Sequence, residues 1–110
     1  MHDTTSPRPV TDETIEQEIQ RKNLNAPRVK PEDLEHEVIR TQFHVFEGSQ
    51  LTVCCLTLIN GFTVTGESAC ASPENFDLEV GERVARANAL NKIWPLLGFR
   101  LKDKLADMPF

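Results

Sequence analysis

The dipeptide Asn60-Gly61 separates two runs of apolar and β-branched residues, "LTVCCLTLI" and "FTVTGESA". Few short signals restrict a chain more. A two-residue type I′ turn needs positive φ at both central positions, and Asn-Gly tolerates it. The spacing predicts a β-hairpin whose loop is Asn60-Gly61. Ile59 then faces Phe62, Thr57 faces Val64, Cys55 faces Gly66, and Val53 faces Ser68. Opposed residues share a face, so this set is the expected core face. The other face carries Leu58 with Thr63, Leu56 with Thr65, and Cys54 with Glu67.

The hairpin contains all three cysteines of the chain. Neighbouring strand residues point to opposite faces, so Cys54 and Cys55 cannot both bind one ion. Cys70 falls opposite Leu51, and no C-x-x-C spacing exists. Packing is the expected role of these thiols, because free Cys is among the most buried residue types. No metal and no cofactor is expected.

"FHVFEG" adds a strand before the hairpin, with a turn at "EGSQ". After it, "SPENFDLEVGERVARANALNKIW" reads as a helix. Ser72-Pro73 suits its start, and Asp77 offers a second cap. Phe76, Val80, Val84, Ala87, Leu90 and Trp94 form its apolar side. Gly81 inside it suggests close approach to the sheet, Pro95 ends or kinks it, and Gly98 can terminate it. Upstream, Thr11 caps a short helix carrying Ile15 and Ile19, and Pro31 opens a second with Leu34 and Val38.

The expected fold is therefore α+β: a three-stranded antiparallel meander (about 41–47, 51–59 and 62–70) against one long helix (about 73–94), after two short N-terminal helices. Residues 1–10 read as a disordered tail, 11–40 as a helical extension, 41–100 as the globular unit and 101–110 as a C-terminal tail, "FRLKDKLADMPF" forming either a last helical turn or a tail. A unit of about 60 residues buries little surface alone. Cys54, Leu56 and Leu58 also need cover on the second face, from the N-terminal helices or from another subunit, and a homo-oligomer is expected.

Charge is unevenly placed. Residues 1–40 carry nine Asp/Glu, residues 41–82 no Lys or Arg, and Arg83, Arg86, Lys92, Arg100, Lys102 and Lys104 are opposed between 83 and 104 only by Asp103. Helix macrodipoles account for such a pattern; an anion-binding surface is the sharper reading. Net charge is −5, against general nucleic-acid binding. No apolar run approaches the ~20 residues of a membrane helix. The start, "MHDTTSPRPV", has no apolar core of a secretory signal, so a cytoplasmic location is expected.

No nucleophile elbow, P-loop or G-x-G-x-x-G is present. His36 lies between two glutamates and His44 alternates with Phe43 and Val45, neither beside a nucleophile. The chain reads as a non-enzyme. Its ligand-binding candidates are Phe62, Arg83, Arg86, Asn88, Asn91 and Lys92, since arginine forks bind phosphates and an aromatic face stacks on a base. Trp94 is a further stacking candidate.

"TVCCLTLINGFTVTGESACASPENFD", followed by "VGERVARANALNKIWPLLGF", resembles a widespread family of small bacteriophage and prophage proteins labelled after gene product forty-nine of a lytic coliphage. The resemblance covers residues 41–100 and leaves the acidic extension outside. Typical members carry more basic residues after the helix glycine, where Glu82 stands here. The resemblance implies a phage accessory protein in the host cytosol. In size and layout it is similar to counter-defence proteins that sequester nucleotide second messengers. An inhibitor docking on a host protein through the acidic N-terminal helices, or a virion or packaging accessory, is the alternative.

Overall fold

A computed structural model describes residues 11–22 and 26–108. The tail expected over 1–10 lies outside the described residues. The order is α1 (Asp12–Arg21), α2 (Pro31–Glu37), β1 (Val38–Val45), β2 (Leu51–Leu58), β3 (Thr63–Ala69), a 3-10 turn (Pro73–Asn75), α3 (Leu78–Asn91) and α4 (Ile93–Ala106). The strands form one open antiparallel sheet in the order β1-β2-β3. With the helices on one side, the chain is the expected α+β arrangement, 16 Å through its thinnest direction.

The helix starts follow the sequence chemistry. Thr11 caps α1 by accepting from Thr14 N–H, and the Thr14 hydroxyl answers at Thr11 N–H. Pro31 opens α2, where its missing N–H costs nothing. Asp77 rather than Ser72 caps α3, its Oδ1 accepting from Val80 N–H at 3.0 Å. Residues 73–75 form only a 3-10 turn, so the helix begins five residues later than its expected start at 73.

It also ends later. The helix bends at Lys92 and resumes as α4 to Ala106. Pro95 falls in the first turn of α4, where its lack of an N–H is tolerated. Gly98 lies mid-helix with open space beside it, so it terminates nothing. Residues 101–106, expected within a C-terminal tail, are helical.

The hairpin register corrects the expected core face. Leu56 pairs with Val64, Cys54 with Gly66 and Thr52 with Ser68, one residue off the expected pairing. Gly61, at φ +89°, donates its N–H to Leu58 O, while Leu58 N–H donates to Phe62 O. The loop is thus Ile59-Asn60-Gly61, a three-residue turn with glycine in the left-handed position. Asn60 Oδ1 accepts from Phe62 N–H at 2.9 Å. One extra loop residue turns the other face of β2 inward, while Val64 and Gly66 of β3 keep their expected place on the core side. Thr52, Cys54, Leu56 and Leu58 are buried, whereas Ile59 is 61% exposed.

The helix face is corrected in the same way. Gly81, Ala85 and Ala89 are buried against the sheet, while Val80 and Val84 are exposed. Small side chains win this face because they let the helix backbone come close. A Cβ on Gly66 would lie 2.2 Å from Ala89 N, and one on Gly81 would lie 2.9 Å from Thr52 Oγ1. Gly81 thus does serve the expected close approach. The core comprises Leu34, Cys54, Leu56, Leu58, Val64, Ala85, Ala89, Ile93 and Leu97. Leu34 from α2 helps cover the second sheet face within the same chain.

Candidate functional site

The six ligand-binding candidates do not converge. Arg86 turns toward α2 and forms a two-pronged pair with Glu35: Nη2 to Oε1 at 2.9 Å, Nη1 to Oε2 at 3.2 Å. Glu35 holds the guanidinium above its ordinary value, and Arg86 pulls the Glu35 carboxyl below its own. Arg83, three residues away, is exposed and makes no ion pair among the described residues. On the other flank of α3, Asn88 Nδ2 donates to Glu67 O at 2.8 Å, and Lys92 Nζ stands 4.0 Å from the Glu67 carboxylate. Asn91 is exposed on the same helix.

Phe62 is remote from all five. It lies at the hairpin tip, 54% exposed, on a cavity of about 280 Å³ shared with Leu58, Leu96, Phe99, Arg100 and Asp103. Trp94 occupies a different cavity, with Ile15, Ile19, Val29 and Pro31, and donates from Nε1 to Asp12 Oδ2 at 3.2 Å. Phe62 and Trp94 therefore form no common stacking face.

The uneven charge has a long-range explanation beside the helix dipole. Acids of α2 meet bases of α3 and α4 across the fold. Glu35 takes Arg86. Glu37, only 7% exposed, takes both prongs of Arg100 at 2.9 and 3.1 Å. Glu37 sits at the α2–β1 junction and its carbonyl accepts from Ile59 N–H, so this pair ties helix, hairpin tip and α4 together. Glu16 pairs with Arg28, which draws its carboxyl below the ordinary value. The acidic helices thus spend much of their charge on their own chain. Burial pushes the Cys54 thiol up, with Arg86 opposing, which suits a packed rather than a reactive thiol.

What the sequence reading missed is the surface around Phe62. Phe99, 70% exposed, and Leu96 project from α4 beside it, and Ile59 flanks the same tip. The signal was present: Ile93, Leu97, Leu101 and Leu105 recur every four residues through Pro95, an apolar helical stripe that leaves Leu96 and Phe99 pointing away. Among the described residues no three His, Cys, Asp or Glu are placed to hold a metal, and no helix is long and apolar enough to cross a membrane.

No curated protein and no solved structure matches the chain. A family model described as "Phage protein (N4 Gp49/phage Sf6 gene 66) family" matches residues 10–105. That range includes α1 and α2, which the sequence resemblance had left outside, in keeping with the ion pairs that join α2 to α3 and α4 and the Trp94–Asp12 hydrogen bond that joins α1 to α4. Spanning nearly all of the chain, the match shows that this protein belongs to the N4 Gp49/Sf6 gene 66 family of phage proteins.

Proposed function

We propose that this phage protein is a non-enzymatic accessory factor that works by binding, and that its partner is a host protein. The observation that carries this reading is the patch at the hairpin tip: Phe62, Leu96 and Phe99 exposed together. Protein interfaces draw most of their binding energy from a few such anchors, and the Glu37–Arg100 pair behind the patch ties α4 to the α2–β1 junction. Among the described residues lining the Phe62 cavity, Asp103 is the acid and the one cation, Arg100, is already matched by Glu37. The rim is therefore net negative. It suits a protein surface with an apolar anchor and flanking basic residues.

Counter-defence by sequestering a nucleotide second messenger is the second reading. What supports it is Arg83, exposed and unpaired among the described residues. Arg86, the other half of the expected anion fork, is matched by Glu35, so a nucleotide phosphate would have to displace a carboxylate. The negative rim near Phe62 also opposes an anionic ligand.

Two measurements separate the readings. Co-purification from infected host cells with mass spectrometry should yield one stoichiometric host protein. Phe62→Ala with Phe99→Ala should release it while the melting temperature holds. Nucleotide binding should instead raise the melting temperature by mass action, and Arg83→Ala with Arg86→Ala should abolish the rise. A stoichiometric partner retained by the double Phe variant would contradict the patch.

A further inference from the structure

We propose that the free edge of β1 pairs with β1 of a second copy, making one six-stranded sheet across a two-fold axis. Leu58 N–H donates to Phe62 O, so Leu58 bonds toward β3. In antiparallel sheets such pairs alternate, so Leu56, Cys54 and Thr52 also bond toward β3. Val53, Cys55 and Thr57 then bond toward β1, to His44, Gln42 and Arg40. It follows that Thr41, Phe43 and Val45 turn their N–H and C=O groups away from the sheet. Among the described residues, no side chain or loop bonds to the β1 backbone, and α3 lies over β2 and β3.

The opposite edge carries a backbone cap at Glu67. Glu67 has its carbonyl on the outer side of β3, and there Asn88 Nδ2 caps it at 2.8 Å. Lys92 lies beside the Glu67 carboxylate. Caps and charges of this kind blunt an edge, whereas a row of unpaired N–H and C=O groups is a template for pairing with another chain. A two-fold β1–β1 contact uses the same edge of both copies, so it closes at two subunits.

Backbone chemistry also fixes the register. Outward-facing groups occur only on odd-numbered residues, so odd must meet odd. Opposed residues share a face, which places both helical layers on one side. Centring on Phe43 uses every outward group: Phe43 opposite Phe43, and Thr41 opposite Val45, each pair exchanging two hydrogen bonds. This register opposes no like charges. On the outer face Arg40 meets Phe46 of the other copy, and Gln42 meets His44. On the helix side the two Phe43 rings, each 37% exposed in one chain, cover one another.

The test uses the full chain in solution. Sedimentation equilibrium should give about twice 12.4 kDa; a monomer at micromolar concentration overturns the proposal. Phe43→Lys and Phe43→Glu should each sediment as folded monomers, because like charges then meet on the axis. Mixed, the two should form a one-to-one heterodimer. A Phe43→Lys dimer, or folded variants that ignore each other, overturns the β1 edge. Hydrogen exchange on the unmodified chain tests the same edge without substitution. The Thr41, Phe43 and Val45 amides should exchange as slowly as those of Gln42 and His44, and exchange at loop rates would overturn the pairing.

Discussion

Gly66 of β3 lies directly beneath the backbone of Ala89 of α3, so close that a Cβ at Gly66 would fall 2.2 Å from the Ala89 nitrogen and 2.4 Å from the Ala85 oxygen. Backbone, not a movable side chain, occupies the space. Gly66→Ala must therefore lift α3 off the sheet. Overpacking of this kind costs about 3 kcal/mol or more. Urea denaturation of the variant checks it; a loss under about 1 kcal/mol would mean that helix and strand do not touch here.

At Gly61 the demand is on φ. A non-glycine residue at φ +89° pays roughly 1–2 kcal/mol for the left-handed backbone, although nothing lies within 4 Å to clash. Gly61→Ala should fall by that amount, and Gly61→Asn by less, since Asn tolerates this region. Comparing the two urea midpoints separates backbone strain from crowding.

These two glycines show what was legible. The hairpin, its Asn-Gly signal, the caps at Thr11 and Asp77 and the order of elements follow from local chemistry. The face of β2 that packs did not, because one residue in the loop decides how β2 meets the Val64–Gly66 face of β3, and Asn-Gly suits two-residue and three-residue loops alike. Likewise the Val80–Val84 stripe outweighed Gly81, Ala85 and Ala89 in apolar character. Small residues nevertheless took the sheet because the distance to Gly66 admits nothing larger. The ion pairs Glu35–Arg86 and Glu37–Arg100 join residues 51 and 63 positions apart. Only the segregation of charge hinted at them.

The two pairs should respond differently to truncation. Glu35–Arg86 is half exposed, and Arg86→Ala should cost under about 1 kcal/mol. Glu37 is buried, so Arg100→Ala leaves a carboxylate without its cation and should cost about 2–3 kcal/mol, discounted for the partly exposed guanidinium. Glu37→Gln with Arg100→Met should recover part of that loss. Equal losses for Arg86→Ala and Arg100→Ala would contradict the difference in burial.

Acid should weaken the fold through Glu35 and Glu16. Both carboxyls are held below their ordinary value of 4.5 by arginine partners. A lowered folded-state pKa means the charged form binds its partner in the native state. The stabilisation is complete above about pH 4.5 and is lost as pH falls through the lower folded values. The urea midpoint should be flat from pH 7 toward 5 and decline below 4.5, and Glu35→Gln should flatten part of that decline.

Thr52 predicts a gain. Its hydroxyl is fully buried and finds no hydrogen-bond partner among the described residues. Thr52→Val keeps the shape and removes the stranded polar atom, and should stabilise by about 1 kcal/mol. A loss in thermal or urea unfolding would mean that the hydroxyl is bonded in solution.

The hairpin face determines both what α3 covers and what Ile59 and Phe62 are left to present, and thiol accessibility reads it most directly. Two variants each keep one strand thiol: Cys55→Ser with Cys70→Ser retains Cys54, and Cys54→Ala with Cys70→Ser retains Cys55. Under native conditions iodoacetamide should modify Cys55, on the open sheet face, and spare Cys54 until the chain unfolds. Rapid labelling of Cys54 with protection of Cys55 would place the opposite face against α3 and contradict the account.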